Sequence, residues 1–157
     1  MRATLGGLVL CVVVFATVGY SQNKAADPMT GTWKINPARS SGSVPTSETL
    51  WIDVTDGMHN YKSDIVNANG SVRKSENHVK YNDGKFHPFI DQTTGKAGSE
   101  IMMIKVDDRT WLRVGRSLDG KAGGVMMRRI ADDGTSYAAT MLNTDGKVVY
   151  VRVFEKQ

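Results

Sequence analysis

The chain has 157 residues, a length that suits one domain and is too short for two domains of ordinary size. Hydrophobic residues make up 40% of the composition and charged residues 23%, which excludes a disordered tail and a protein with many membrane spans. The 16 glycines follow no three-residue period, which excludes a collagen-like fibre, and the formal net charge of +4 is mild for this length.

Residues 1–21 have the pattern of a secretory signal peptide. Arg2 provides a positive start, an apolar stretch runs from Leu5 to Val18, and Gly19 and Ser21 are small residues of the kind that precede a cleavage site. The apolar stretch is short for an uncleaved membrane anchor, which needs ~20 residues. We therefore expect cleavage after residue 21, with no transmembrane span in the mature chain.

Cleavage would remove Cys11, the only cysteine, and leave a mature chain that folds without disulfides. A lipoprotein modified at Cys11 is disfavoured because Leu10 is larger than the residue that usually precedes such a cysteine. An exported chain without cysteine suits the bacterial periplasm or secretion from a bacterium. We expect residues 22–28 to be a flexible N-terminus and residues 29–157 to form one domain.

Turn signals recur through that domain at spacings of 11 to 14 residues, and runs rich in Val, Ile, Thr, Tyr and Met lie between them. Asp-Gly and Asn-Gly favour two-residue hairpins because both central positions take positive φ. The turn signals are Asp56-Gly57, Asn69-Gly70, Asp83-Gly84, Thr94-Gly95, Asp107-Asp108, Asp119-Gly120, Asp133-Gly134 and Asp145-Gly146.

Eight such turns, with a first strand from Gly31 to Ile35, predict an all-β, up-and-down antiparallel sheet of about 9–10 strands. Closure into a barrel removes the two exposed edges of the sheet, and a barrel of this size can enclose one small ligand. The segment from Asn36 to Ser47 is the only long irregular connection, and we expect it to lie at one mouth of the barrel as a flap.

The motif Gly31-Thr32-Trp33 at the first strand, together with the chain end Val153-Phe154-Glu155-Lys156-Gln157, resembles the lipocalin-like (calycin) barrels, and in particular small exported bacterial proteins of that kind. This resemblance implies that Trp33 closes one end of the barrel, near the first and last strands. It also implies a binding role for the barrel interior, without naming a ligand.

The last strand is also similar to that of the fatty-acid-binding proteins, in which an Arg-x-Tyr pair holds the carboxylate of the ligand. Arg152 matches the arginine, and Phe154 stands where that family has tyrosine. The similarity implies that Arg152 faces the interior of the barrel.

If each turn is a two-residue hairpin, counting residues outward from the turn gives the cross-strand partners. These partners divide the side chains of the C-terminal strands into an aliphatic face and an aromatic face that also carries arginine. The aliphatic face contains Leu112, Val114, Val125, Met127, Ala138, Thr140, Leu142, Val149, Val151 and Val153. The aromatic face contains Trp111, Arg113, Met126, Arg128, Tyr137, Met141, Tyr150, Arg152 and Phe154.

Two assignments of these faces are open. If the aromatic face lines the cavity, its candidate ligand-binding residues are Arg152, Phe154, Tyr150, Tyr137, Met141 and Trp111. Burying three arginines without acids costs several kcal/mol per ion, which favours the aliphatic face inside. A structural alternative for Arg152 is that its guanidinium stacks over Trp33 at the end of the barrel.

The same arithmetic places His59, His78 and His87 on one face of neighbouring N-terminal strands, with Leu50, Ile52, Tyr61 and Phe89. Three imidazoles can hold zinc, and one can ligate a haem iron. Lys80 lies within this row and opposes a bound cation. The alternative is a polar patch near an open mouth.

The sequence contains no nucleophile motif, phosphate loop or cysteine cluster, so it favours binding over catalysis and indicates no cofactor. It has no basic stripe of the kind that binds nucleic acid. The leading hypothesis is an exported barrel that binds a small apolar or amphipathic molecule. The alternatives are a filled barrel that acts through its surface in the envelope, and the histidine metal or haem site. The sequence leaves the oligomeric state open.

Overall fold

A computed structural model describes residues 26–157, and the predicted signal peptide, with Cys11, lies outside the described residues. Ten strands form one closed antiparallel barrel, and an eleventh, two-residue strand pairs beside it. The strands are β1 (Gly31–Ile35), β2 (Ser41–Gly42), β3 (Ser47–Thr55), β4 (Met58–Val66), β5 (Val72–Lys80), β6 (His87–Asp91), β7 (Lys96–Lys105), β8 (Thr110–Arg116), β9 (Ala122–Ile130), β10 (Ser136–Leu142) and β11 (Val148–Lys156).

From β3 to β11 each strand pairs with the next in the chain, and β1 closes the barrel by pairing with both β3 and β11. The predicted all-β, up-and-down barrel is therefore confirmed. Within the described part of the chain, no helix is long and apolar enough to cross a membrane.

The segment that connects β1 to β3 is attached to the last strand. It contains a 3-10 turn (Pro37–Arg39) and strand β2, which pairs with β11. The backbone N–H of Val153 donates to Ser40 Oγ at 3.0 Å, and Asn36 N donates to Val153 O at 2.8 Å. These bonds fix the connection against the barrel wall beside its mouth.

The β3–β4 hairpin has the two-residue turn that its Asp-Gly pair predicts. Thr55 is the cross-strand partner of Met58, and Asp56 and Gly57 both have positive φ, 51° and 76°. A glycine takes this left-handed conformation without the cost that a Cβ imposes.

Gly57→Ala is expected to lower the free energy of unfolding by about 1 kcal/mol. A Cβ built at Gly57 meets no atom within 4 Å, so the cost comes from the backbone conformation alone. Gly98 in β7 has equally open space and no left-handed φ, so Gly98→Ala should cause no loss. Urea unfolding of both variants separates the two effects, and equal losses would contradict this account.

The β4–β5 hairpin differs from its prediction by one residue. Val66 pairs with Val72, and a five-residue turn joins them, with Asn67 N donating to Ser71 O at 2.9 Å. Because successive side chains in a strand point to opposite faces, a shift of one residue moves every β5 side chain to the other face. Asn77 faces the interior as a result, and His78 faces outward.

Trp33 is fully buried where the first strand meets the last, with Leu50 and Lys156 as its cross-strand partners. Its Nε1 donates to Met29 O at 2.8 Å, and its ring packs edge-on against Tyr137 at 4.9 Å. The cation over the ring is Lys156, whose Nζ lies 5.1 Å from the centroid. The prediction that Arg152 stacks over Trp33 is therefore wrong.

The predicted division of the C-terminal side chains into an aliphatic and an aromatic face is confirmed. The prediction that the aliphatic face lies inside the barrel is wrong. Tyr137 pairs with Phe154, Met141 with Tyr150, and this aromatic face points into the barrel. The aliphatic face points outward, where the exposed fractions of Val149 and Met127 are 43% and 39%. The predicted burial cost assumed arginines without acids, whereas an acid on β3 pairs with one of them inside the barrel.

Candidate functional site: an arginine-lined cavity in the barrel

A cavity of about 340 Å³ lies inside the barrel, in the half that carries the β1–β3 connection. This volume is at the small end of the range for ligand sites. The floor is formed by Tyr61, Tyr137 and Phe154, and exposed Arg73 lies at the mouth. The lining residues are Glu48, Leu50, Tyr61, Ile65, Arg73, Ser75, Phe89, Asp91, Gly98, Ser99, Arg113, Met126, Arg128, Tyr137, Ala139, Tyr150, Arg152 and Phe154.

Four arginines and two acids line this cavity, so its lining has an excess of two positive charges. Both acids are already engaged. Glu48 Oε2 accepts from Arg152, and Asp91 Oδ1 accepts the backbone N–H groups of Thr93 and Thr94 at 2.8 and 3.0 Å. The excess charge is therefore carried by the arginines that these acids do not neutralise.

Arg152 is fixed by the protein itself. Its Nη1 donates to Glu48 Oε2 at 2.8 Å, while Nε and Nη2 donate to Ser43 O at 3.2 and 3.0 Å. Its guanidinium also stacks over Tyr150 at 4.1 Å. Burial raises the pKa of Glu48, and the neighbouring Arg152 opposes that rise. Arg152 thus holds the β1–β3 connection and Glu48 together at the mouth.

Inside the cavity, beneath exposed Arg73 at the mouth, Arg128 and Arg113 are the arginines without an acid partner. The side chain of Arg128 is buried, with 4% of the residue exposed, yet its Nε and Nη1 have no hydrogen-bond partner among residues 26–157. Its guanidinium lies 5.5 Å from the Tyr61 ring, and that of Arg113 lies 5.4 Å from the Phe89 ring. Burial and the charge of Arg128 lower the pKa of Arg113. Donors buried without a partner are costly, and an anion would satisfy them.

Polar side chains continue beneath the cavity toward the end closed by Trp33. His59, Asn77, Tyr81 and Trp111 each have a buried polar atom without a hydrogen-bond partner in the described part of the chain. Burial, and then the charge of Arg128, lower the pKa of His59 to about 3, so the imidazole is neutral at physiological pH. Sites of this kind hold ordered water in proteins.

Four of the six predicted ligand-binding residues line the cavity: Arg152, Phe154, Tyr150 and Tyr137. Met141 shares their face but packs against the core, and Trp111 is fully buried outside the cavity lining. Arg152, the residue implied by the similarity to fatty-acid-binding proteins, has Glu48 as its partner in place of a ligand.

The three histidines do not form a site. His59 lies inside the barrel, whereas His78 faces outward with Nδ1 2.8 Å from Asn60 Oδ1, and His87 Nε2 lies 2.8 Å from Asp83 Oδ2. The one-residue difference in the β4–β5 turn separates His78 from His59. Among the described residues, no three His, Cys, Asp or Glu side chains are placed to hold a metal ion. The predicted histidine cluster is therefore wrong.

Glu48, Arg113 and Arg128 are the functional residues that the predicted site omits. Both arginines belong to the predicted aromatic face, from which the predicted site includes Arg152 but neither of them. Glu48 had a clear signal: it lies two residues before Leu50, and alternate residues of a strand share a face.

No protein-family model matches this chain, and no curated protein matches it.

Proposed function

We propose that this protein is an exported binding protein that holds one small amphipathic anion inside its barrel. The observation that carries this proposal is Arg128, a buried guanidinium with two unpartnered nitrogens facing an aromatic cavity. Arg128 and Arg113 would bind the acidic group of the ligand, and Phe89, Tyr137 and Phe154 would contact its apolar part. The resemblance to lipocalin-like barrels and the N-terminal signal-peptide pattern support an exported carrier in a bacterial envelope.

The size of the cavity limits the ligand. A volume of about 340 Å³ corresponds to roughly eleven water molecules at about 30 Å³ each. A ligand that fits entirely inside has on the order of ten to fifteen non-hydrogen atoms, and a longer apolar chain would extend through the mouth.

Titration with decanoate and with decanol tests the proposal, because the two have similar chains and differ in charge. Decanoate should bind with an affinity at least tenfold higher than that of decanol, which is about 1.4 kcal/mol. Isothermal titration calorimetry gives both affinities, and native mass spectrometry of the purified protein shows whether a ligand is already bound. Equal affinities would contradict recognition of the charge, and no binding of either compound or of a decyl phosphate would contradict the proposed function.

A further inference from the structure

Two positive charges lie next to each other inside the barrel. Arg113 is the cross-strand partner of Met126 in the β8–β9 pair, and Arg128 lies two residues further along β9. The two arginines are therefore diagonal neighbours on the inward face, and both line the cavity. Diagonal neighbours are about 7–8 Å apart, a separation that long side chains span. Both guanidiniums can thus reach one group of a bound ligand.

The other charges of the cavity lining offset one another. Glu48 is the ion-pair partner of Arg152, with 2.8 Å between Oε2 and Nη1. Arg73 and Asp91 lie on neighbouring strands near the mouth, where the cross-strand partner of Asp91 is Ser75, two residues from Arg73. The excess of two positive charges in the lining therefore belongs to the two arginines of the β8–β9 pair.

Nothing in the protein neutralises these two charges. The guanidinium of Arg128 lies over the Tyr61 ring and that of Arg113 over the Phe89 ring, and an aromatic ring offsets only part of a full charge. The charge of Arg128 contributes to the lowered pKa of Arg113, as a like charge at close range does. A ligand group with one negative charge would offset one arginine, whereas a doubly charged group would offset both.

We propose that the polar end of the ligand is a phosphate monoester, a compact dianion that binds Arg113 and Arg128 together. This inference rests on the proposed function. A phosphate monoester carries a charge of about −1.5 to −2 at pH 7 and has three strong acceptor oxygens. The Tyr137 hydroxyl, which is buried and has no hydrogen-bond partner among residues 26–157, is a further donor in the lining.

The geometry disfavours two other kinds of anion. A carboxylate brings one charge, so it would leave one of the two guanidiniums without a counterion. A ligand with carboxylates at separate positions divides its charge between two points, whereas diagonal neighbours reach the same one. Inorganic phosphate has the charge but makes no use of the rings of Phe89 and Phe154 in the lining.

Isothermal titration calorimetry with decyl phosphate and decyl sulfate tests the proposal, because the two compounds share a chain and a tetrahedral head group but differ in charge. At pH 7.5 decyl phosphate should bind about tenfold more tightly or better. At pH 5 the free monoester has lost most of its second charge, since its second pKa is about 6, and this preference should fall about fivefold or more.

Decyl sulfate keeps one charge across this range, so it also reports any titration of the protein. Apart from arginines and tyrosines, the titratable groups of the cavity lining are Glu48 and Asp91. Burial raises the pKa of Glu48, and a change in its charge would alter the binding of both compounds. His59 beneath the cavity has a pKa of about 3 and stays neutral from pH 7.5 to pH 5.

Arg113→Met should bring the two affinities at pH 7.5 within about threefold of each other, because one positive charge would remain. Arg129→Met is the matched control, since Arg129 points outward from β9, and it should keep the preference of the wild type. Inorganic phosphate, titrated alone, should bind about tenfold more weakly than decyl phosphate or worse.

The outcomes separate this inference from the proposed function. Equal affinities of the wild type for the two decyl compounds at pH 7.5 would overturn the dianion and leave anion binding intact. An unchanged preference in Arg113→Met would also overturn it, and inorganic phosphate that binds as tightly as decyl phosphate would exclude an ester. No binding of either decyl compound would overturn the proposed function as well. The comparison of ligands uses the wild type, so it decides the question even if Arg113→Met does not fold.

Discussion

Arg128→Met should weaken decanoate binding by about 100-fold or more and, in the same protein, raise the melting temperature of the unliganded barrel. Arg128 is the one buried arginine of the cavity whose Nε and Nη1 have no partner. If these nitrogens bind the carboxylate, their removal leaves a buried anion without a main partner, a loss of about 2–5 kcal/mol.

The expected gain in stability has a separate physical origin. A buried charge without a hydrogen-bonded counterion is unfavourable for folding, and apolar replacement of buried ionic groups often stabilises a protein by about 1–4 kcal/mol. Met has an unbranched apolar side chain that suits irregular core space beside Tyr61 and Met126. A site that lowers stability and gains function from the same residue is a common trade-off.

Arg129→Met is the matched control for both measurements. Arg129 is the next residue in β9, points outward, and its Nη1 donates to Thr110 Oγ1 at 3.1 Å. This variant should bind decanoate as the wild type does. Calorimetric titration gives the affinities, and scanning calorimetry of ligand-free protein gives the melting temperatures. Wild-type affinity in Arg128→Met would exclude Arg128 from the site, and a lower melting temperature would show that its charge is already stabilised in the fold.

The predicted grouping of the C-terminal side chains succeeded because two irregularities compensate each other. The turns after β8 and β10 are longer than two residues, but a β-bulge follows each of them, between Val114 and Arg116 and between Met141 and Leu142. Each bulge inserts one residue, so the side chains beyond it point to the same faces as a two-residue turn would give them. The β4–β5 pair has a five-residue turn and no bulge, so the β5 side chains point to the face opposite to the predicted one, and His78 is separated from His59.

Which face lies inside was beyond prediction from hydrophobicity, since the outer face is the more apolar of the two. The interior keeps arginines because Glu48 and aromatic rings surround them, and these contacts join residues far apart in the chain, such as Arg152 and Glu48. Turn spacing alone was enough to predict the number and order of the strands, because each hairpin is determined by residues that are close together in the chain. The charge balance of the cavity depends on closure of the whole barrel.

Acid should destabilise this protein mainly through His59. Burial, and then the charge of Arg128, lower the pKa of His59 from 6.5 to about 3 in the folded state. As the pH falls below 6.5, His59 becomes protonated in the unfolded chain, whereas in the folded chain it stays neutral until about pH 3. The free energy of unfolding therefore decreases across this window, by roughly 5 kcal/mol in total, and the contribution of His59 is fully present only above pH 6.5.

His59→Phe should remove this pH dependence while keeping an aromatic ring beside Tyr61 and Tyr81, whose ring centroids lie 6.0 and 5.7 Å from that of His59. Urea unfolding from pH 7 to pH 3 gives the free energy of unfolding of both proteins. Carboxyl groups with lowered pKa, such as those of Asp83 and Asp133, also reduce stability in acid, but they do so equally in the two proteins. The difference between the curves isolates His59.

His78→Phe is the control, because His78 lies on the outer surface and should leave the acid limb of the wild-type curve unchanged. Parallel curves for wild type and His59→Phe would mean that His59 is protonated in the folded protein as readily as in the unfolded chain.

One variant tests the predictions on Arg128 and His59 together. Arg128→Met removes a positive charge that lowers the pKa of His59, so its folded-state pKa should rise above 3 and the loss of stability in acid should become smaller. A steeper acid limb in Arg128→Met would contradict the electrostatic coupling between the floor of the cavity and the buried histidine below it.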